Sequence, residues 1–214
     1  RFVCLSDTHS LHDTVQVPMG DVLIHAGDFT NVGLPSDVQK FNEFLGRLPH
    51  KHKIVIAGNH DISFDTASYP RFGHPKLYDS KEVHVDSWLV ISMLTNATYV
   101  QDEEITVEGF RIWGSPWQPE FCDWGFNLPR GPALAAVWNK IPMGVDVVVT
   151  HGRLLLICND IPESLRVFVV ISKVRPAYHV FGHVHEGYGI TEDGLGKHDD
   201  DVVERKFYED DLSE

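Results

Sequence analysis

KIVIAGNHD, residues 53–61, runs from apolar residues into a polar cluster. KIVIA is typical of a buried strand and GNHD of a loop. DVLIHAG (21–27) has the same form. Between the two, SDVQKFNEFLGRL (36–48) is apolar at helical spacing, with Ser36 as its predicted N-cap. A strand, a helix and a strand in this order predict a βαβ unit, in which the two strands are parallel.

Other segments extend this α/β pattern. Strands are predicted at 2–6, 145–152 and 177–185, a hairpin at 105–113 with Glu108-Gly109 at its turn, and helices at 81–94 and 132–140. Five strands end in polar clusters: SDTH (6–9), GD (27–28), GNHD (58–61), THG (150–152) and GHVH (182–185). Sites in open α/β sheets gather at the carboxyl ends of parallel strands, so these clusters predict a shared site.

The clusters supply seven candidate metal ligands: Asp7, His9, Asp28, Asn59, His151, His183 and His185. Two ions that share one bridging carboxylate need about seven protein ligands, with water in the open positions. Oxygen and imidazole donors without thiolates favour manganese, iron or zinc, with magnesium as an alternative. Taken singly, each residue has a structural alternative, since Asp28 and Asn59 suit turns and His151 suits a buried core position.

Composition limits the classes of protein. A length of 214 residues predicts one domain, assigned to 1–195, followed by an acidic, flexible tail at 196–214. The net charge of -13 argues against a long nucleic acid as partner. No apolar run approaches the roughly 18 residues of a membrane span. Three widely spaced cysteines favour a reducing, cytoplasmic location, and the start at Arg1 predicts a truncated N-terminus. No oligomeric state is predicted.

In this order, the motifs SDTH, GD, GNHD, THG and GHVH resemble those of the calcineurin-like metallophosphoesterases. GSPWQPEFCDWGFNLPRG (114–131) and RPAYHVFGHVHEGYG (175–189) extend the likeness to the metallophosphoesterase domain-containing proteins. The resemblance implies a four-layer α/β/β/α sandwich of two mixed sheets flanked by helices. It also implies a dinuclear centre whose metal-bridging hydroxide attacks phosphorus in a small phosphodiester, such as a cyclic nucleotide.

The resemblance also implies a role for each residue. Asp7, His9 and His185 would hold one ion, Asn59, His151 and His183 the other, and Asp28 would bridge them. His60 would be the general acid, or a donor to the transition state, and Asp61 would orient it. For Asp61, capping a helix remains an equal alternative.

Substrate contacts are less defined by the sequence. Trp113, Trp117, Trp124 and Phe126 are candidates for stacking on a nucleobase, although core or lid packing is the favoured interpretation. Arg130 is a candidate phosphate contact, with a solvated surface position as the equal alternative. A phosphomonoesterase or protein phosphatase, and a catalytically impaired metal- or nucleotide-binding variant, remain rival functions.

Two segments depart from the family pattern. Arg153 and an apolar run replace the prolines that the family often carries after THG, and residues 153–172 match poorly. After residue 194 the family supplies at least one more apolar strand, where this chain has an acidic segment. We therefore expect the C-terminal strands of the second sheet to be incomplete.

Overall fold

The computed structural model describes residues 1–69, 85–152 and 174–185. By their internal contacts the residues form two units, Arg1–His183 and Val184–Glu214. The helices and strands in the described ranges belong to the first unit. The strands are β1 (Phe2–Leu5), β2 (Val22–Ala26), β3 (His52–Ile56), β4 (Thr98–Tyr99), β5 (Glu103–Val107), β6 (Phe110–Ser115), β7 (Gln118–Pro119), β8 (Asn127–Leu128), β9 (Val147–Thr150) and β10 (Tyr178–Phe181). The α-helices are α1 (Pro35–Arg47), α2 (Ser87–Ser92) and α3 (Pro132–Trp138).

Two four-stranded sheets organise the described residues. The first has the order β1-β2-β3-β4 and all its pairs are parallel. The second has the order β10-β9-β6-β5 and is parallel except for the β5–β6 hairpin. The predicted βαβ unit is β2-α1-β3, with Ile24 opposite Ile54. Among the described residues only the second sheet is therefore mixed, whereas a mixture was expected in both.

Alternation along the strands produces the layers. Ile24 of β2 belongs to an apolar cluster with Ile112 and Val149 of the second sheet. Its neighbour Leu23 faces the other way and belongs to a cluster with Phe41 of α1, because successive strand residues point to opposite faces. A third cluster joins the outer face of the second sheet to α3. Helix, sheet, sheet and helix follow in that order, which confirms the predicted α/β/β/α class.

The helix ends differ from the prediction in two places. Helix α1 begins at Pro35 after the N-cap Leu34, so Ser36 lies inside the first turn and is not the cap. Proline suits that first position because its missing N–H would have no helical partner there. Helix α2 is shorter than the predicted 81–94, of which residues 81–84 lie outside the described part. Its N-cap is Asp86, whose carboxylate accepts from the backbone of Trp88 and Leu89 at 2.9 and 3.3 Å.

The hairpin prediction is confirmed. Strands β5 and β6 are antiparallel, and Glu108 and Gly109 at the turn have φ of 51° and 88°. Two consecutive positive φ values match the twist of a two-residue hairpin.

The predictions for 153–172 and for the acidic tail at 196–214 lie outside the described residues and stay predictions. No helix in the described ranges has the length and apolar character that spanning a bilayer requires.

Candidate metal centre

Loops from both sheets meet at the carboxyl ends of the parallel strands. Asp28 follows β2, Asn59 follows β3 and His151 follows β9. The Nδ1 atom of His151 lies 2.8 Å from the carbonyl oxygen of Ala26, which ties the loop after β9 to the end of β2. After β10, the backbone N–H of His183 donates to both carboxylate oxygens of Asp7, at 3.0 and 2.9 Å. The predicted convergence of the strand ends is thus present in the fold.

Asp28 lies between two groups of candidate ligands. Its Oδ2 atom lies 3.2 Å from Nε2 of His151 and 3.9 Å from Nε2 of His9. Ligand atoms of Asp28, His151 and His183 lie within 4.8 Å of one another, and so do those of Asp28, His9 and His60. A carboxylate shared by two groups is the arrangement that a bridging ligand requires.

Asn59 joins the same group as His151. Its side-chain oxygen lies 2.9 Å from Nε2 of His151, and both residues are buried. Since Nδ1 of His151 is bonded to a carbonyl, its Nε2 carries the lone pair of the neutral ring. The amide oxygen of Asn59 and Nε2 of His151 therefore both carry lone pairs that can coordinate a divalent ion.

The electrostatics of Asp28 and His151 favour a positive charge beside the Asp28 carboxylate. Burial alone would lower the pKa of His151, but the Asp28 carboxylate outweighs it and raises that pKa to about 9. Burial alone would raise the pKa of Asp28, but the charge and hydrogen bond of His151 outweigh it and lower that pKa. A cation beside Asp28 is thus held strongly, and a metal ion would replace the proton. The residues present fit a divalent metal ion.

Four candidate ligands have a strained backbone. Asp7, His9, Asp28 and His183 have φ of 53°, 40°, 55° and 71°. A left-handed conformation costs a residue with a side chain about 1–2 kcal/mol. Such strain clusters at functional sites, where the surrounding structure enforces it.

His60 lies beside the candidate ligands and is held on several sides. Its Nδ1 lies 2.8 Å from the carbonyl oxygen of Asn31, and its backbone N–H donates to Oδ1 of Asp28 at 2.7 Å. Its ring stacks on Trp124, with centroids 4.0 Å apart, and meets His9 edge-on at 4.8 Å. A proton on Nδ1 leaves a lone pair on Nε2 of the neutral ring, which a second proton would convert into a general acid. Because His60 also lies within ligand distance of Asp28, its role as a non-ligand stays a prediction.

Asp61 bonds to two loops of the site. Its carboxylate accepts from the backbone N–H of Phe29 at 3.3 Å, Thr30 at 2.9 Å and Gly58 at 2.9 Å, and from the Thr30 hydroxyl at 2.6 Å. Burial, and after it the charge of Asp28, raises the pKa of Asp61 to about 7 against these bonds. The bonds fix the loops after β2 and β3 to each other. Orientation of His60 by Asp61 stays a prediction, whereas this loop contact was not foreseen from the sequence.

The aromatic candidates separate by position. Trp113 and Phe126 are buried in the core, and Trp117 donates through Nε1 to Asp102 at 2.8 Å. Trp124 is the member of the predicted set that contacts His60. A residue outside that set, Phe121, meets the ring of His183. Only its place in an aromatic-rich loop between motifs could have indicated it.

The other predicted contacts are less defined. Arg130 is exposed at the end of the loop before α3, and Arg153 lies outside the described residues. His185 is exposed and belongs to the second unit, Val184–Glu214, so its place beside Asp7 and His9 stays a prediction.

Comparison with known proteins assigns the chain to a family. The family model for calcineurin-like phosphoesterases matches residues 1–187. Metallophosphoesterase domain-containing protein 1, from Homo sapiens and from Mus musculus, is 52% identical in an alignment 207 residues long, which covers 91% of this chain and 63% of that protein. UPF0046 protein T07D4.2 of Caenorhabditis elegans is 43% identical in an alignment 214 residues long, which covers 92% of this chain and 54% of that protein. The chain therefore spans less than two thirds of the length of these relatives. With the match over 1–187 and the strand-end residues in place, the chain belongs to the calcineurin-like phosphoesterase family.

Proposed function

We propose that the chain is a metal-dependent phosphoester hydrolase, and specifically a phosphodiesterase on small cyclic nucleotides that uses two divalent ions. The observation that carries the proposal is the position of Asp28, which lies within ligand distance of His151 and His183 on one side and of His9 on the other. Family membership supports the metal-dependent chemistry. Manganese is the preferred ion for this mixed oxygen and imidazole set, with iron, zinc or magnesium as alternatives.

Divalent ions in this site would supply Lewis acidity, which lowers the pKa of water and polarises phosphoryl oxygens. The chain would hold the metal ligands in position. Asp28, buried within ligand distance of both histidine groups, would supply negative charge to an ion held by either group. Asp61 fixes the loop of Asp28 to that of Asn59, so the ligands of the two strands keep their separation.

We propose that His60 handles the proton of the leaving group. The hydrogen bond to the Asn31 carbonyl and the stack on Trp124 fix the plane of its imidazole. An imidazole of fixed orientation near the centre can donate from Nε2 to a departing oxygen.

The test combines metal content with hydrolysis in added manganese. We expect up to two ions per chain and faster turnover of bis-p-nitrophenyl phosphate than of p-nitrophenyl phosphate. Faster turnover of the monoester would assign a phosphomonoesterase instead. Binding of metal without turnover of either ester would indicate an impaired variant.

Three variants assign the roles. His185→Ala should remove one ion and most hydrolysis, whereas His60→Ala should lose rate and keep its metal. His52→Ala is the control, since His52 pairs with Glu108 at 2.8 Å on the surface. Unchanged metal content and rate in His185→Ala would contradict the two-ion assignment, and loss of metal in His60→Ala would make His60 a ligand.

A further inference from the structure

Phe121 is an exposed ring at the edge of the candidate metal centre. Its side chain is 55% exposed, and its ring lies edge-on to His183 with centroids 5.3 Å apart. The ring of His183 in turn lies 5.2 Å from that of His151. Single exposed aromatic residues are common on protein surfaces and carry no meaning by themselves. Phe121 differs because it touches a candidate ligand.

The backbone beside Phe121 is strained. The next two residues, Cys122 and Asp123, have φ of 54° and 58°, and Phe126 has 53°. Each such conformation costs about 1–2 kcal/mol in a residue with a side chain. Strain of this kind persists only where neighbouring contacts enforce it, and it is found at binding sites more often than elsewhere.

Hydrogen bonds enforce this conformation and attach the loop to the site. The carbonyl of Phe121 accepts from the side-chain amide of Asn127 at 2.8 Å. Gly125 donates its N–H to the carbonyl of Asn59, itself a candidate ligand, at 3.1 Å. The N–H of Phe126 donates to the Asp65 carboxylate at 2.8 Å. The bond from Gly125 to Asn59 thus attaches the loop to the candidate metal centre, and the other two bonds hold the loop backbone near Phe121.

The loop contributes aromatic rings at two points of the centre. Trp124 stacks on His60, and Phe121 lies against His183. A phosphoester bound beside Asp28 would therefore have an aromatic side chain within reach of its organic group. A planar base gains by stacking on such a ring, whereas a saturated group does not.

We propose that Phe121 forms a subsite for the planar aromatic group of the substrate, such as the base of a nucleotide, and so selects nucleotides over esters with saturated groups. This rests on the proposed function for the assignment of a phosphoester to the centre. The subsite itself is a binding property and can be measured without turnover.

The experiment compares two ligands that differ only in the base. Adenosine 5′-monophosphate and ribose 5-phosphate share the sugar and the phosphate. Their dissociation constants are measured by calorimetry on manganese-loaded protein. We expect the wild-type chain to bind the nucleotide about 5- to 150-fold more tightly, the range that stacking of one base supplies.

Variants separate the aromatic ring from simple apolar bulk. Phe121→Leu should reduce this preference at least about fivefold and leave the affinity for ribose 5-phosphate unchanged. Phe121→Tyr should keep the preference, because the ring remains. Phe110→Leu is the matched control, since Phe110 is 41% exposed and packs against Phe2. Metal content, measured in each variant, should stay at the wild-type value.

Two results would overturn the subsite. One is equal affinity of the wild-type protein for both ligands. The other is a Phe121→Leu variant that keeps the full preference, or that loses affinity for both ligands by one factor. Failure of the proposed function has a different signature, namely a preserved preference for the nucleotide in a protein that hydrolyses no phosphodiester.

Discussion

Gly58→Ala should disrupt the metal centre through a steric effect at a residue that is not itself a ligand. A Cβ atom at Gly58 would lie 2.5 Å from the backbone nitrogen of Asp28 and 2.6 Å from Cε1 of His151. Real Cβ atoms essentially never approach other heavy atoms closer than 3.0 Å. The backbones at Asp28 and at residue 58 would therefore have to separate by at least about 0.5 Å, the difference between 2.5 and 3.0 Å, since a backbone atom cannot rotate away as a side chain can.

That shift decides the expected result. Metal–ligand distances hold to about 0.2 Å, so a movement of about 0.5 Å beside the candidate ligands Asp28 and Asn59 exceeds what an ion accepts. We expect Gly58→Ala to lose at least one ion per chain. It should also lower the free energy of unfolding by about 1–3 kcal/mol, the usual cost of overpacking. Metal per chain is measured by elemental analysis after dialysis against manganese, and stability by urea denaturation of the metal-free protein.

Gly109→Ala is the matched control. A Cβ atom at Gly109 meets nothing within 4 Å, but φ there is +88°. Alanine should therefore cost about 1–2 kcal/mol of backbone strain at the hairpin turn and leave the metal content unchanged. Together the two variants separate general destabilisation from distortion of the centre. A Gly58→Ala protein with wild-type metal content and stability would refute the reasoning.

Three further perturbations test individual contacts. Trp124→Leu removes the ring stacked on His60, and should lower the turnover of bis-p-nitrophenyl phosphate several-fold with metal content unchanged; loss of metal would show that Trp124 supports the ligands instead. Burial lowers the pKa of His25 from 6.5 to about 3. The unfolded chain therefore binds the extra proton between these pH values, and the free energy of unfolding should fall as the pH falls from about 6.5 to 3, by up to about 5 kcal/mol. His25→Leu should flatten this dependence in urea denaturation of the metal-free protein, and an unchanged slope would contradict the assignment. Asp61→Ala leaves three backbone N–H groups unpaired at about 1–3 kcal/mol each, partly offset by removal of a buried carboxylate, so we expect a net loss of about 2–4 kcal/mol by urea denaturation. Asp61→Asn should lose less free energy of unfolding than Asp61→Ala, since its amide oxygen keeps an acceptor for Thr30. Equal losses in the two variants would contradict a structural role for this hydrogen bond.

The sequence predicted the fold through strand and helix periodicity. The pattern in 21–61 is sufficient for a parallel βαβ unit, and that unit lies in the first sheet as expected. Polar residues at strand ends could be placed at one edge because parallel strands share a direction. The prediction of Ser36 as the N-cap of α1 was wrong, because the preference of proline for the first helical position outweighed the capping preference of Ser36.

Contacts between loops could not be predicted in the same way. Asp61 follows the motif residue His60, and nothing in its spacing indicates bonds to Phe29 and Thr30, some thirty residues away. The same holds for Phe121, whose contact with His183 depends on the path of an irregular loop. Periodicity describes regular elements, whereas these contacts depend on backbone turns that no repeat records.

Strain and burial at the centre are related physically. Asp28 combines a left-handed backbone, a buried carboxylate and a position between two histidine groups. The left-handed backbone and the burial of the carboxylate cost free energy in the protein alone, and the hydrogen bonds that Asp61 accepts from Phe29, Thr30 and Gly58 hold the loop in place. A divalent ion would offset the cost of the buried carboxylate directly, since it would neutralise the negative charge. The left-handed backbone would favour binding, since the ligands are positioned before the ion binds. We therefore expect the folded protein to be more stable with a bound metal ion than without one. That relation is typical of residues positioned for binding rather than for folding.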